Sequence, residues 1–211
     1  MKSVTEQLEI LLFGTQFADE IEGSSDPGDS SAMGRAEGHT LREQMTTELA
    51  ERLKENRPLR VYLGVDPTST NLHLGHFVPI QKLRQFQELG HRVVFLIGDY
   101  TATIGDPSGQ SGERQRLRHE QVLEMGQTYA QQAFRLLDPA LTEVRHNGEW
   151  LSKLTFAEIV DLASIFSLKW IVSRRDFRDR LDRGESLRLH ETLYSLMQGF
   201  DAYALHCDVQ V

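Results

Sequence analysis

The chain contains one cysteine, Cys207, so no intrachain disulfide can form; a secreted, cross-linked scaffold is excluded and a reducing, cytoplasmic setting fits. Long apolar runs are also missing. Ile10-Leu11-Leu12-Phe13 falls far short of the roughly 20 residues a membrane-spanning helix needs, and Glu6 and Glu9 precede it where a targeting peptide would be basic. Basic residues are in deficit, 23 Lys and Arg against 31 Asp and Glu. The net charge of −8 excludes a general binder of DNA or RNA, which would meet phosphates with excess positive charge. Any RNA contact must be local. Arg174, Arg175, Arg178, Arg180 and Arg183 form one candidate patch, but Asp176, Asp179 and Asp182 interleave with them, the pattern of a solvated, salt-bridged helix face. Internal repeats and coiled-coil heptads are lacking.

What is present suffices for a folded domain: 211 residues, 39% hydrophobic and 26% charged, can bury a core. Val4, Leu8, Leu11 and Leu12 predict a short N-terminal helix within 1–21, and the Gly-, Ser- and Asp-rich stretch 22–39 predicts a linker. Thr40 with Glu43 forms a capping-box pattern, and Leu41, Met45, Leu49 and Leu53 continue it as an apolar stripe up to Arg57-Pro58. Leu59–Val65 and His91–Gly98 predict strands, with a helix from Phe77 to Leu89 between them. That is a βαβ unit, and its continuous apolar strands suit a parallel sheet covered on both faces. The fold class is therefore doubly wound α/β. Beyond Gly112 helices dominate, at 113–137, 155–164, 176–183 and 187–205, with a short strand at 143–146 and the start of another at Cys207–Val211.

Three segments carry chemistry. Gly64-Val65-Asp66-Pro67-Thr68 through His73-Leu74-Gly75-His76 joins the first strand to a helix start, where backbone N–H groups and the helix dipole favour phosphate. Gly75 permits close backbone approach there, and two imidazoles three residues apart share one side of the first turn. A His-x-x-His pair alone also fits a surface pair or half of a zinc site, although no third His or Cys nearby completes one. In the second segment, 97–109, Gly98, Gly105 and Gly109 cluster with Asp99, Asp106 and Pro107 at the carboxyl edge of the sheet. An Asp fixed there can pair with an ammonium group; a plain surface turn is the alternative. The third is the helix 187–205, where His190, Tyr194, Gln198 and Asp201 share a sector beside an apolar one of Leu189, Leu193, Leu196, Met197, Phe200 and Ala204. Such a stripe should line a cleft, or be the polar edge of an ordinary amphipathic helix.

The segment ending His73-Leu74-Gly75-His76 is similar to the nucleotide-binding motif of class I aminoacyl-tRNA synthetases, and Gly64 to Thr68 narrows the likeness to the tyrosyl and tryptophanyl subclass. Tyr194-x-x-x-Gln198-x-x-Asp201 resembles the tyrosine-binding helix of tyrosyl-tRNA synthetases. The resemblance runs from 59 to 211 and includes Asn147 to Leu154. It implies a Rossmann-like nucleotide-binding fold with its first half at 40–112, a helical insertion at 113–184 that builds a homodimer interface, and the tyrosine-binding helix with the next strand at 185–211. It implies ATP-dependent activation of L-tyrosine and transfer to tRNA(Tyr), with Mg2+ arriving on ATP and no permanently bound metal.

By residue, the resemblance assigns catalysis to His73 and His76, and ATP binding to Gly64, Asp66, Pro67, Thr68, Gly75, Arg114 and the same histidines. Tyrosine falls to Tyr62, Thr101, Asp106, Tyr194, Gln198, Asp201 and Gln210; His190 reads as structural. Relatives usually carry basic residues after the second turn, where this chain has Gln110 and then only Arg114. In the family the strand at Cys207 leads into a Gly-Gly-Thr-Asp-Gln turn, followed later by a Lys-Met-Ser-Lys-Ser-like loop and an RNA-binding domain. The 211 residues contain none of these, so this chain by itself is expected not to charge tRNA. Two further readings stay open: a different His-x-Gly-His nucleotidyltransferase, against which Tyr194, Gln198 and Asp201 argue, and a non-catalytic tyrosine-binding or regulatory fragment.

Overall fold

The computed structural model describes residues 2–15, 40–104 and 119–211; the linker expected at 22–39 lies outside them. Four strands, β1 (Arg60–Val65), β2 (Arg92–Ile97), β3 (Thr142–His146) and β4 (Val209–Gln210), form one parallel sheet in the order β3-β2-β1-β4. β1 and β2 pair in full register, Arg60 opposite Arg92 through Val65 opposite Ile97.

Alternation along β1 sorts its side chains to two faces. Val61, Leu63 and Val65 join Val93, Phe95 and Ile97 in the main core, under Leu11 of α1 (Val4–Leu12), Leu53 of α2 (Leu41–Lys54), Ile80, Leu83 and Phe86 of α3 (Leu74–Glu88), and Tyr129 and Ala133 of α4 (His119–Ala133). Tyr62, Val94 and Leu96 face the other way, packing with Leu205 and with Trp150 of α5 (Gly148–Leu151). The crossovers through α3 and α4 thus lie on one face, while α9 (Leu189–Ala204), which leads to β4, belongs to the other. Connections diverge from β1, and the carboxyl ends of its neighbourhood are where such folds bind ligands.

The N-terminal helix is tied to the sheet through a buried histidine. His91 Nδ1 accepts the Leu59 N–H at 3.2 Å, so its proton sits on Nε2, which faces Gln7 Oε1 at 3.0 Å. Burial lowers the His91 pKa, and the more distant Asp208 only partly opposes it. Lys82 caps the far end of α1, donating to the carbonyls of Leu11 and Phe13.

Several expectations are corrected. α3 starts at Leu74, not Phe77, because the His73 side chain itself caps the helix. In α2 the expected capping box is present, but Met45 is exposed and the stripe reaches the core through Leu49 and Leu53. In α9 the fully buried positions are Thr192 and Asp201; of the apolar sector, Leu193, Leu196, Met197, Phe200 and Ala204 are half-buried and Leu189 is 75% exposed. α9 lies alongside α6 (Phe156–Ser164) and α7 (Leu168–Val172), whose own apolar side chains Phe156, Ile165 and Leu168 are exposed. Around α8 (Arg175–Asp182), Arg180 is joined to Glu191 and Glu185, and Arg183 to Glu185, glutamates outside the aspartates that interleave with the arginines. Among the described residues no helix is long and apolar enough to cross a membrane.

Candidate functional site

At the carboxyl end of β1 the chain turns through Pro67 and Thr68 into the first turn of α3. His73 Nδ1 accepts the Gly75 N–H at 3.1 Å, and His76 Nδ1 accepts the His73 N–H at 3.2 Å. A nitrogen that accepts cannot also hold the proton, so both neutral rings carry it on Nε2. Burial lowers the His76 pKa, and the neighbouring His73, 3.9 Å away between ring centroids, lowers it further. His76 is therefore a neutral N–H donor at physiological pH. A Cβ at Gly75 would stand 3.0 Å from the His73 ring, a tight contact that the ring could relieve only by shifting.

A second group of polar side chains converges above the ends of β1, β2 and β3. Tyr194 donates its hydroxyl to Asp66 Oδ2 at 3.0 Å, and Thr101 donates to Asp66 Oδ1 at 2.7 Å. Asn147, fully buried, donates to Thr101 Oγ1 at 3.0 Å and to Asp201 Oδ2 at 3.1 Å, while its own carbonyl takes the Tyr100 N–H at 2.9 Å. The Trp150 indole N–H completes the chain on Asp201 Oδ1 at 2.7 Å. A continuous path thus links Tyr194, Asp66, Thr101, Asn147, Asp201 and Trp150. Gly98 leaves room for it: a Cβ there would lie 1.9 Å from Asp66 Oδ1 and 2.4 Å from Thr101 Oγ1.

Asp201 is 4% exposed, and burial pushes its pKa up to about 6 against the pull of Asn147 and Trp150, with Asp66 and Asp99 adding to the rise. It is ionised at neutral pH, and its two oxygens, each serving one protein donor, retain lone pairs for another. Tyr62 is buried nearby; burial raises its phenol pKa, and Cys207 and Asp201 add to the effect. Among the described residues its hydroxyl makes one long bond, 3.4 Å to the Gln198 carbonyl.

The structure thus brings Tyr62, Asp66, Thr101, Tyr194 and Asp201 together, with His73, Gly75 and His76 at the adjoining helix start. The side chains of Gln198 and Gln210 are exposed, Thr68 is exposed, Pro67 is buried and Gly64 is open at the end of β1. Asp106, Gln110 and Arg114 lie outside the described residues. Sequence reasoning gave no role to Asn147 or Trp150, although an Asn just past a strand and a Trp needing an N–H acceptor were visible signals. Asp99 was missed as well: it accepts the Gly148 N–H at 2.7 Å and lies 3.5 Å from His146 Nδ1. A cavity of about 450 Å³ lined by Arg57, Arg60, Arg92, His206 and Asp208 sits at the opposite, amino end of the strands. Its Arg57 and Arg60 are already matched by Glu55, Asp208 and Glu143, and it is remote from these groups.

Comparison with known proteins places the chain in a family. The family profile of class I tRNA synthetases (W and Y) matches residues 54–211. A tyrosine-tRNA ligase of Carboxydothermus hydrogenoformans is 48% identical over 169 residues, and one of Oleidesulfovibrio alaskensis is 51% identical over 164. These alignments cover 80% and 78% of this chain, which spans 41% of the length of either relative. A C-terminally truncated mitochondrial tyrosyl-tRNA synthetase of Coccidioides posadasii superposes with a TM-score of 0.61 at 26% identity, covering 78% of this chain and 46% of that one.

Proposed function

The chain belongs to the class I tRNA synthetases of the tryptophanyl and tyrosyl (W and Y) family, and on that premise we propose that its protein activates L-tyrosine with ATP and charges tRNA(Tyr). The observation that carries the choice of amino acid is Asp201: an ionised, buried carboxylate pinned by Asn147 and Trp150, with acceptor capacity left over and the Tyr62 hydroxyl nearby. A phenol fills the acceptor capacity left over and a phenyl ring leaves it unused, a distinction worth on the order of 10⁴-fold or more. Tyr194 and Asp66 offer hydrogen bonds at the other side of the network, within reach of an amino acid's backbone groups.

In the first step the tyrosine carboxylate attacks the α-phosphorus of ATP, a new P–O bond forms, and the bond to pyrophosphate breaks. ATP enters as its Mg2+ complex, a substrate rather than a resident cofactor. His73 and His76 present Nε2–H donors at the start of α3, and donors so preorganised stabilise charge that grows on the phosphoryl oxygens. They need not exchange protons. In the second step a tRNA 3′-terminal hydroxyl takes the acyl group and AMP leaves. We further propose that a second copy of the chain covers the apolar side chains of α6 and α7, where Phe156 is 82% exposed.

The test is tyrosine-dependent ATP–pyrophosphate exchange by the protein as its gene encodes it. Tyrosine should support exchange, phenylalanine should fall about 10⁴-fold below it, and Asp201→Ala should abolish the difference. Equal use of tyrosine and tryptophan would overturn the assignment. Tyrosine binding without exchange would favour the non-catalytic reading.

A further inference from the structure

The turn that carries His73 and His76 makes few hydrogen bonds within itself: Thr68 N–H to the Asp66 carbonyl, and the Ser69 hydroxyl to the Asn71 carbonyl. What fixes it comes from α4. Gln132 grips the backbone with both ends of its amide, Oε1 accepting the Leu72 N–H at 2.9 Å and Nε2 donating to the Thr70 carbonyl at 3.0 Å. The Thr128 hydroxyl also reaches the Thr70 carbonyl at 3.0 Å, shared with that of Met125 at 2.7 Å. Tyr129, fully buried, lies 3.0 Å from Ser69 Oγ; Ser69 gives its own proton to Asn71, so Tyr129 is the donor. The Tyr129 ring then meets the His76 ring edge-on at 5.8 Å.

Three side chains spaced i, i+1 and i+4 thus hold residues 69–72, and the residue after them is the helix-capping His73. α4 can reach so far because Gly126 lies against β2, where a Cβ would stand 2.7 Å from Ile97 Cγ2.

We infer that α4 is the latch of the nucleotide-binding turn and that Gln132 is a positioning residue for His73 and His76. The inference rests on the proposed role of those histidines in ATP activation. Leu72 is held by a single side-chain acceptor, and Thr70 and Asn71 are exposed, so water can replace Gln132 without unfolding the chain. What would be lost is placement, and a displacement of about 1 Å at such a site can cost on the order of 10²-fold in rate.

The experiment compares Gln132→Ala, Tyr129→Phe and His76→Ala in tyrosine-dependent pyrophosphate exchange, and follows the Leu72 amide and the two imidazoles by NMR. Gln132→Ala should lower kcat about 10-fold or more with the KM for tyrosine unchanged. It should also speed hydrogen exchange at the Leu72 amide and shift the His73 and His76 ring signals. Tyr129→Phe, which keeps the buried ring and removes one bond, should do the same to a smaller degree. If His76→Ala lowers the rate and Gln132→Ala does not, or if Gln132→Ala raises the tyrosine KM in step, the positioning role is overturned. If His76→Ala leaves the rate unchanged, the reading of the histidines fails first. Ring signals that stay in place in Gln132→Ala would refute the latch whatever the rates.

Discussion

Replacing Asp201 by Asn should make the unliganded protein more stable, and the gain should depend on pH in a direction fixed by the site. A folded pKa of about 6 against an ordinary 3.8 means that the ionised carboxylate costs the folded state about 3 kcal/mol once both states have lost the proton. Because the pKa is raised, the folded state holds its proton longer than the unfolded chain. Stability contributed by the group is complete below pH 3.8, declines as pH rises, and is gone above about 6. Asparagine removes this titration. It also brings only one acceptor oxygen to two donors, Asn147 Nδ2 and Trp150 Nε1, so one amide pair meets donor to donor at about 1–2 kcal/mol. The balance is a variant more stable than its parent by about 1–2 kcal/mol at pH 7.5 and close to parity at pH 5, a change of about 1.4 kcal/mol between the two. Urea unfolding of both proteins at both pH values measures it. A difference that is the same at pH 5 and 7.5, or that favours the parent at the higher pH, would refute the claim that Asp201 is held ionised against its surroundings. A gain in stability accompanied by loss of tyrosine selectivity would show that the site keeps its charge for binding rather than for folding.

Gly98→Ala should force Asp66 and Thr101 apart, since the new Cβ would fall 1.9 Å from one and 2.4 Å from the other. A loss of about 2–3 kcal/mol in thermal unfolding, together with weaker tyrosine binding, is expected, and an unchanged melting temperature would show that the contact relaxes freely. Phe156→Asp should turn a dimer into a monomer in sedimentation at micromolar concentration while altering monomer stability by no more than about 0.5 kcal/mol; an unchanged mass would remove α6 from the interface.

Much of the scaffold was legible because its signals are local. β1 and β2 are continuous apolar runs bounded by Pro58, Gly90 and Gly98, and the helix between them follows from length alone. β3 was legible only as a short strand, for Thr142–His146 is half-buried throughout and mixes charged with apolar residues. α5 and α7, with four and five residues, are too short for a period to show. Periodicity also told which residues of α9 share a face but not what that face meets, and Leu189 at its start is exposed. In the site, residue types and spacing marked His73, His76, Tyr194 and Asp201. Their states were not readable: both imidazole tautomers are set by backbone amides, and the Asp201 pKa by burial, opposed by partners 54 and 51 positions away.

The strand order has a consequence for synthesis. β1, β2 and β3 are complete once residue 146 has emerged, whereas β4 pairs with β1 from Val209, and Arg57 meets Asp208 across 151 positions. A ribosome adding about 5–20 residues per second delivers β4 roughly seven to thirty seconds after β1, longer than many α/β domains need to fold. For that interval one side of β1 is an open strand edge, able to recruit a foreign strand. Arg57 stands at its foot, not yet joined to Asp208, and the Arg60 backbone N–H that Asp208 will take is still unbonded; a charged side chain on an open edge is what discourages such recruitment. The ion pair that ties β4 to the foot of β1 therefore begins as a guard on the unpaired strand.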